Sequence, residues 1–166
     1  VSEPQIVLLN GPSGVGKTAV GRLLASRSRN GVCIVGDSLR EFVVTRDSHR
    51  PSGLAFRAAA ALVEVYADAG FDLIIFDFVF EGPEHLEPFR AALAEHLDFS
   101  LVTLWVEAEV IRARKSLRGR GDEDAAERVG HRIELMRKNL HELGEAVDAD
   151  GPADEVASRV EACLAR

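Results

Sequence analysis

The strongest chemical signal in the chain is the stretch "GPSGVGKT", where Gly11, Gly16, Lys17 and Thr18 meet the spacing G-x-x-x-x-G-K-S/T in full. It stands between the apolar run "QIVLLN" and the amphipathic "AVGRLLASR", so strand, glycine loop and helix follow one another as the motif requires. Glycines let the segment Gly11, Pro12, Ser13, Gly14, Val15 and Gly16 fold tightly around a polyphosphate with N–H groups pointing inward. The helix that follows presents its positive end to the same anion. Lys17 then reaches the β- and γ-phosphates, and the Thr18 hydroxyl ligates Mg²⁺. The bland alternative, a glycine-rich turn that merely contains Lys-Thr, explains none of this agreement.

Two acids follow apolar runs further on. Asp37 comes directly after "VCIVG" and reads either as a base that takes the proton of an attacking hydroxyl or as the N-cap of a short helix over "SLREFV". Asp77 closes "FDLIIFD" and reads as a carboxylate beside Thr18 for Mg²⁺, or as a strand-terminal acid starting a turn. The stretch "RARKSLRGRGDED" brings Arg112, Arg114, Lys115, Arg118 and Arg120 together in an acidic chain. It reads as a lid over about 112–124, with Arg114 and Arg118 acting on the transferring phosphoryl group and Arg120 holding the nucleotide. A solvated charged helix paired to Glu107 and Glu109 is the competing reading, and Arg128 with Arg132 face either the same cleft or solvent.

The acceptor side is expected from Asp37, Ser38, Arg40, Phe56, Arg57, Asp77 and Phe78. Arg40, Arg50 and Arg57 could form a fork for a carboxylate or phosphate. Phe56, Tyr66, Phe78 and Phe80 read as core or as the walls of an aromatic pocket, core being the commoner fate of such side chains. The five histidines lack ligand spacing, so no zinc site is expected.

To position these residues the chain has 166 residues, enough for a single domain with a real core. Short apolar runs alternate with longer amphipathic stretches, the pattern of a parallel sheet covered by helices on both faces. Strands are predicted at Ile6–Asn10, Val32–Val35, Leu73–Asp77, Leu101–Val106 and near Ala146–Asp148. Helices are predicted over Lys17–Ser28, Ser52–Ala69, Glu84–Glu95, Ala108–Leu117, Ala125–Leu143 and Ala153–Ala165. Ligands of such sheets sit outside the carboxyl ends of the strands, which is where Gly11–Thr18, Asp37, Asp77 and the basic stretch all fall.

A net charge of −7 argues against a general nucleic-acid surface, and no apolar run approaches the roughly 20 residues of a membrane span. No secretory leader is read from "VSEPQ", and a cytoplasmic location is the expectation. Cys33 and Cys163 have neither disulfide nor metal spacing and read as buried free thiols.

With these residues in hand, the chain resembles the small P-loop kinases of the nucleoside monophosphate kinase plan, and most specifically the chloramphenicol phosphotransferase-like proteins. The resemblance rests on "IVLLNGPSGVGKT", "GDSL", "FRAAAALVEVYADAGFDLIIFDFVF" and "LVTLWVEA" and covers nearly the whole chain. It implies a P-loop NTPase three-layer αβα sandwich, α/β in class, with a five-stranded parallel sheet and a short Arg-rich lid. It further implies ATP as donor, Mg²⁺, and transfer of the γ-phosphoryl to a hydroxyl of a small molecule, with Asp37 as base and Asp77 as the strand-three acid. The sequence departs from that family at Phe76, where the relative carries a second acid, and in "VVTRDSHRPSG". An antibiotic-modifying resistance enzyme is one form of this reading. A nucleoside, nucleotide, shikimate or gluconate kinase is the second, and a nucleotide-binding regulatory switch the third. The residues do not indicate an oligomeric state.

Overall fold

The computed structural model describes residues 3–44, 53–116 and 123–166. Five apolar runs pair as one parallel sheet: β1 Gln5–Asn10, β2 Gly31–Val35, β3 Leu73–Asp77, β4 Ser100–Trp105 and β5 Glu145–Asp148. Their order is β2-β3-β1-β4-β5. The central strand β1 sets Leu9 opposite both Asp77 of β3 and Val102 of β4, while Val35 of β2 also stands opposite Asp77. The helices are α1 Lys17–Arg27, α2 Gly36–Glu41, α3 Leu54–Asp68, α4 Glu87–Arg90, α5 Ala108–Ser116, α6 Glu123–Asn139 and α7 Ala153–Leu164.

Side chains alternate across a strand, so β1 feeds two apolar layers. Val7 and Leu9 join Ile75, Val20 and Leu24 of α1, and Val156 and Val160 of α7 on one face. Ile6 and Leu8 join Ile74, Phe76, Ala59, Ala60 and Val63 of α3, and Phe89 of α4 on the other. Each such buried Leu, Ile or Phe contributes about 1.5–3 kcal/mol relative to exposure, which is why a sheet this apolar holds its register. Among the described residues no helix is long and apolar enough to cross a membrane.

Two predicted helices differ. In place of one helix over Glu84–Glu95 there is a 3-10 turn, Pro83–His85, followed by the single-turn α4. Pro88 explains the break: it cannot donate to the Glu84 carbonyl, and its ring crowds the preceding turn. The segment is fastened instead by Glu64 of α3, whose carboxylate accepts the Ala94 N–H at 2.8 Å. The helix predicted to reach Leu143 ends at Asn139 and passes through a 3-10 turn, Leu140–Glu142, to Gly144 at φ +73°. A side chain on Gly144 would run into the Leu101 carbonyl, so only glycine lets the chain enter β5 here.

Candidate active site

Three neighbouring strands, β2, β3 and β1, deliver the chemistry to one edge of the sheet. Asp37 follows β2, Asp77 ends β3, and Gly11–Thr18 follow β1. Adjacent strands lie about 4.8 Å apart, so the exits of β2 and β1 are separated by about 10 Å with Asp77 between them.

The loop after β1 holds Gly11, Gly14 and Gly16 at φ +145°, +94° and +113°. A Cβ on Gly11 would sit 2.6 Å from the Leu104 carbonyl oxygen and 2.9 Å from Val15 Cγ1. At Gly16, by contrast, a Cβ would meet nothing within 4 Å, so the loop there faces open space and only its backbone angle demands glycine. Lys17 Nζ donates to the carbonyls of Gly11 at 2.8 Å and Pro12 at 3.2 Å, drawing the end of the loop back onto its start. No side chain caps α1 and no acid stands in its first turn. Its positive end is therefore left for an anion from outside the helix.

Asp77 is 3% exposed, and its Oδ1 accepts the Gly36 N–H at 3.4 Å. Its Oδ2 is buried with no hydrogen-bond partner among the described residues. Such an orphan costs about 1–3 kcal/mol and calls for an explanation. A buried carboxylate oxygen without a partner and the half-buried Thr18 hydroxyl are donors of the kind that suits Mg²⁺, which takes one or two protein oxygens and completes its shell with phosphates and water. Burial, reinforced by the Asp77 carboxylate and opposed by Arg22, pushes the neighbouring Cys33 thiol up to about 12.

The β2 exit is packed hard against β3, since any side chain on Gly36 would collide with Phe78 and the Asp77 carbonyl. The helix α2 starts with Val35 as N-cap and without any side-chain cap, so Asp37 is not its capping residue. Asp37 stands exposed in the first turn, where the helix dipole favours its charge.

Of the basic stretch, Arg114 is 26% exposed and donates to the Val15 carbonyl and the Ala149 carbonyl, each at 3.0 Å. It thereby joins the phosphate loop to the loop after β5, with Asp150 Oδ1 at 3.8 Å. Arg112 pairs with Glu109 at 2.7 Å on the exposed side of α5. Arg118, Arg120, Arg50 and the middle of the expected lid lie outside the described residues.

Of the residues expected on the acceptor side, Ser38, Arg40 and Arg57 are exposed, while Phe56 and Phe78 are half-buried. Phe80 is fully buried, and Tyr66 packs edge-on to Phe71 in the core. A cleft of about 300 Å³ lies between α2 and the start of α3, lined by Leu39, Arg40, Val43, Leu54, Phe56 and Phe78. A larger hollow, about 470 Å³, opens beside Glu3, His96 and Asp98 at the amino ends of the strands, away from every residue discussed above.

Two groups of residues escape sequence reasoning. Asn10, fully buried at the end of β1, accepts the Phe80 N–H at 2.8 Å. Its amide donates to the Phe80 carbonyl and to Thr103 Oγ1, both at 3.1 Å. Thr103 in turn donates to the Leu143 carbonyl at 2.6 Å. This chain fixes the segment Phe78–Phe80 relative to the phosphate loop; its signal in the sequence is one polar residue inside each of two apolar strands. The second group is Glu81, which accepts from Arg132 at 3.0 Å while its carbonyl accepts from Asn139 at 2.9 Å. Arg132 and Asn139 are two turns apart on α6, so one face of that helix grips the loop after β3.

A family model described as an AAA domain matches residues 6–143, from β1 to the turn before β5. Among solved structures the chain is similar to an unliganded sugar kinase from Janibacter sp. HTCC2649, with TM-score 0.66 and 20% identity over 98% of this chain and 95% of that one. It is similar to a tunicamycin resistance protein from Deinococcus radiodurans, with TM-score 0.74 and 15% identity over 97% and 96% of the two chains. It is also similar to the shikimate kinase of Aquifex aeolicus vf5, with TM-score 0.67 and 16% identity over 97% and 96%. No curated protein sequence matches it. At such identities the likeness is one of fold, and the match to the family model covers most of the chain. With its phosphate loop, five parallel strands and acid-lined rim, the chain belongs to the AAA domain family and has the P-loop α/β fold of these small kinases.

Proposed function

We propose that the protein is an ATP-dependent phosphotransferase that moves the γ-phosphoryl group of Mg-ATP to a hydroxyl of a small molecule. The observation that carries this reading is the delivery of Asp37, Asp77 and the phosphate loop to one edge by three adjacent strands. Asp37 accepts the proton of the acceptor hydroxyl, whose oxygen forms a bond to the γ-phosphorus. The bond from that phosphorus to the β–γ bridging oxygen breaks, and ADP leaves with the electron pair. Lys17 and the N–H groups of Gly11–Thr18 hold the polyphosphate, and the exposed start of α1 favours its charge. Bound Mg²⁺, held by Thr18 and Asp77, would neutralise charge on the phosphate oxygens. Arg114 keeps the loop in shape through Val15, while Arg118 and Arg120 of the lid act on the transferring group and the nucleotide.

The acceptor pocket takes in Asp37, Ser38, Arg40, Phe56, Arg57, Asp77 and Phe78. An antibiotic acceptor is the leading form, supported by the fold shared with a tunicamycin resistance protein. Arg40 in the cleft lining keeps a carboxylate- or phosphate-bearing acceptor of the shikimate or gluconate type as the second.

The test incubates purified protein and Mg-ATP with pools of chloramphenicol, other antibiotics, nucleosides, sugar acids and shikimate. A compound that gains one phosphoryl mass with the native chain, and not with Asp37→Asn, is the expected result. No product in any pool, with ATP still bound, would overturn the reading in favour of a nucleotide-binding switch.

A further inference from the structure

Resting on the reading of the phosphate loop as a polyphosphate site, we infer that Arg114 is a positioning residue: it holds the peptide between Val15 and Gly16 with its N–H turned toward the bound anion. A trans peptide points its C=O and its N–H in opposite directions. Arg114 Nη1 donates to the Val15 carbonyl at 3.0 Å, which fixes that carbonyl on the side of α5. The Gly16 N–H therefore faces the other way, and it has no hydrogen-bond partner among the described residues. An unpaired N–H at the start of a helix is a donor ready for an anion.

This peptide needs a hold from outside the loop. Val15 is 2% exposed, set in the core with Leu104 and Ile111, and its own N–H donates to the Pro12 carbonyl at 3.2 Å. Beyond the peptide, the Gly16 carbonyl accepts the Val20 N–H at 3.0 Å as α1 begins. Between these fixed ends the peptide is free to turn, because Gly16, at φ +113°, has open space where a Cβ would stand. The glycine that permits the required angle also permits the flipped one. Apart from Arg114, no described residue bonds to either end of this peptide.

Arg114 can hold the carbonyl because it is itself held. Ile111, one turn earlier on α5, is fully buried. Nη2 donates at 3.0 Å to the carbonyl of Ala149, a residue 1% exposed whose N–H donates to the Trp105 carbonyl at 2.8 Å. Arg159 of α7 braces the same loop, donating to the carbonyls of Asp148 at 3.0 Å and Asp150 at 2.6 Å. A guanidinium presents its two Nη donors in a rigid planar fork, so fastening one at Ala149 directs the other at Val15. With both occupied, Arg114 acts on the polyphosphate through the loop, in place of the direct action on the transferring group expected from the basic stretch.

The probes are Mg-ATP and inorganic tripolyphosphate with Mg²⁺, titrated by calorimetry into the native chain, Arg114→Met and Arg114→Lys, at about 0.1 M and about 1 M KCl. Arg114→Met keeps the stem of the side chain and removes both donors. The expected result is the same loss of affinity for ATP and tripolyphosphate, at least about ten-fold, as for one hydrogen bond to a charged group. That ratio of native to variant affinity persists at high salt, because a peptide orientation is not screened. The Gly16 amide resonance, followed by proton–nitrogen NMR, moves downfield with tripolyphosphate in the native chain and stays in place in Arg114→Met. Arg114→Lys, which keeps the charge without the fork, loses nearly as much and serves if Arg114→Met fails to fold. Native affinity in Arg114→Lys, or a loss that vanishes at high salt, makes Arg114 a direct charge on the phosphate and overturns the inference. A loss for ATP alone, or no loss for either probe, overturns it too. A native chain that binds neither probe removes the nucleotide reading itself, an outcome seen without any substitution.

Discussion

On the nucleotide side of the rim, consecutive residues between β1 and α1 supply the loop, the lysine and the hydroxyl; on the proposed acceptor side, the proposed base Asp37, the rings of Phe56 and Phe78 and the gripped loop come from α2, α3, the exit of β3 and α6. The first side hangs from the most buried strand, whose residues Val7, Leu8 and Leu9 are inaccessible to solvent. The second hangs partly from α2, a helix of six residues followed by exposed Phe42 and Val44. Where one short segment carries a function, backbone geometry leaves little freedom in the residue types. Where several segments share it, each contributes a side chain that can change without disturbing the fold. One phosphate-loop scaffold can thus accept different alcohols while its nucleotide site stays constant.

The largest expected effect separates the two sides directly. Asp37→Asn lowers kcat by about 10²–10⁴-fold and leaves the ATP dissociation constant unchanged by calorimetry. Lys17→Ala loses about 10²–10³-fold in kcat and weakens ATP binding as well. An equal loss of nucleotide affinity in both variants would break the division between the sides.

Asn10 is where the sides join, because it precedes Gly11 and holds Phe80. Asn10→Ala strands the Phe80 N–H and removes a partner of Thr103, at a cost of about 1–3 kcal/mol. At about 2–4 °C per kcal/mol, that lowers the melting temperature by about 2–12 °C. Calorimetric scanning with and without ATP checks it, and a drop under a degree would show the network to be dispensable.

A smaller effect, of opposite sign, is expected at Asp77. Asp77→Asn removes a charge whose Oδ2 has no partner, so the melting temperature without nucleotide and metal rises by about 2–4 °C for each kcal/mol relieved. The same change lowers Mg²⁺-dependent turnover. A fall in both quantities would make the carboxylate structural and detach it from the metal.

The smallest effect is chemical. Because the Cys33 thiol is pushed up to about 12, its reactive thiolate is scarce far above neutrality. Iodoacetamide at pH 8 leaves Cys33 unmodified in the folded chain, and labelling appears on unfolding or as pH climbs toward 12. Prompt labelling at pH 8 would show that the β2 exit opens readily.

The five strands and α1 were legible because their signals are local: apolar runs of strand length, and a glycine loop with Lys17-Thr18 behind it. The helix over Glu84–Glu95 failed where Pro88 outweighs the apolar spacing. Asp37 at the exit of β2 was legible as an acid, although both a cap and a base were open to it; Val35 occupies the cap. The aromatic residues divided: Phe80 went to the core and Phe56 with Phe78 to the cleft, a choice set by layers that no local pattern reports.

The sequence by itself determined the phosphate loop, the parallel α/β class and the acids that end or follow strands, since each depends on contiguous residues and on the short periods of strand and helix. Only the tertiary structure decided that Asn10 reaches Thr103, 93 residues away, and that Glu81 is gripped from α6. It also decided that Arg114 ties Val15 to Ala149 and that a cleft opens between α2 and the start of α3. These contacts depend on the strand order β2-β3-β1-β4-β5, which brings distant segments together through burial and hydrogen bonding rather than through any spacing along the chain.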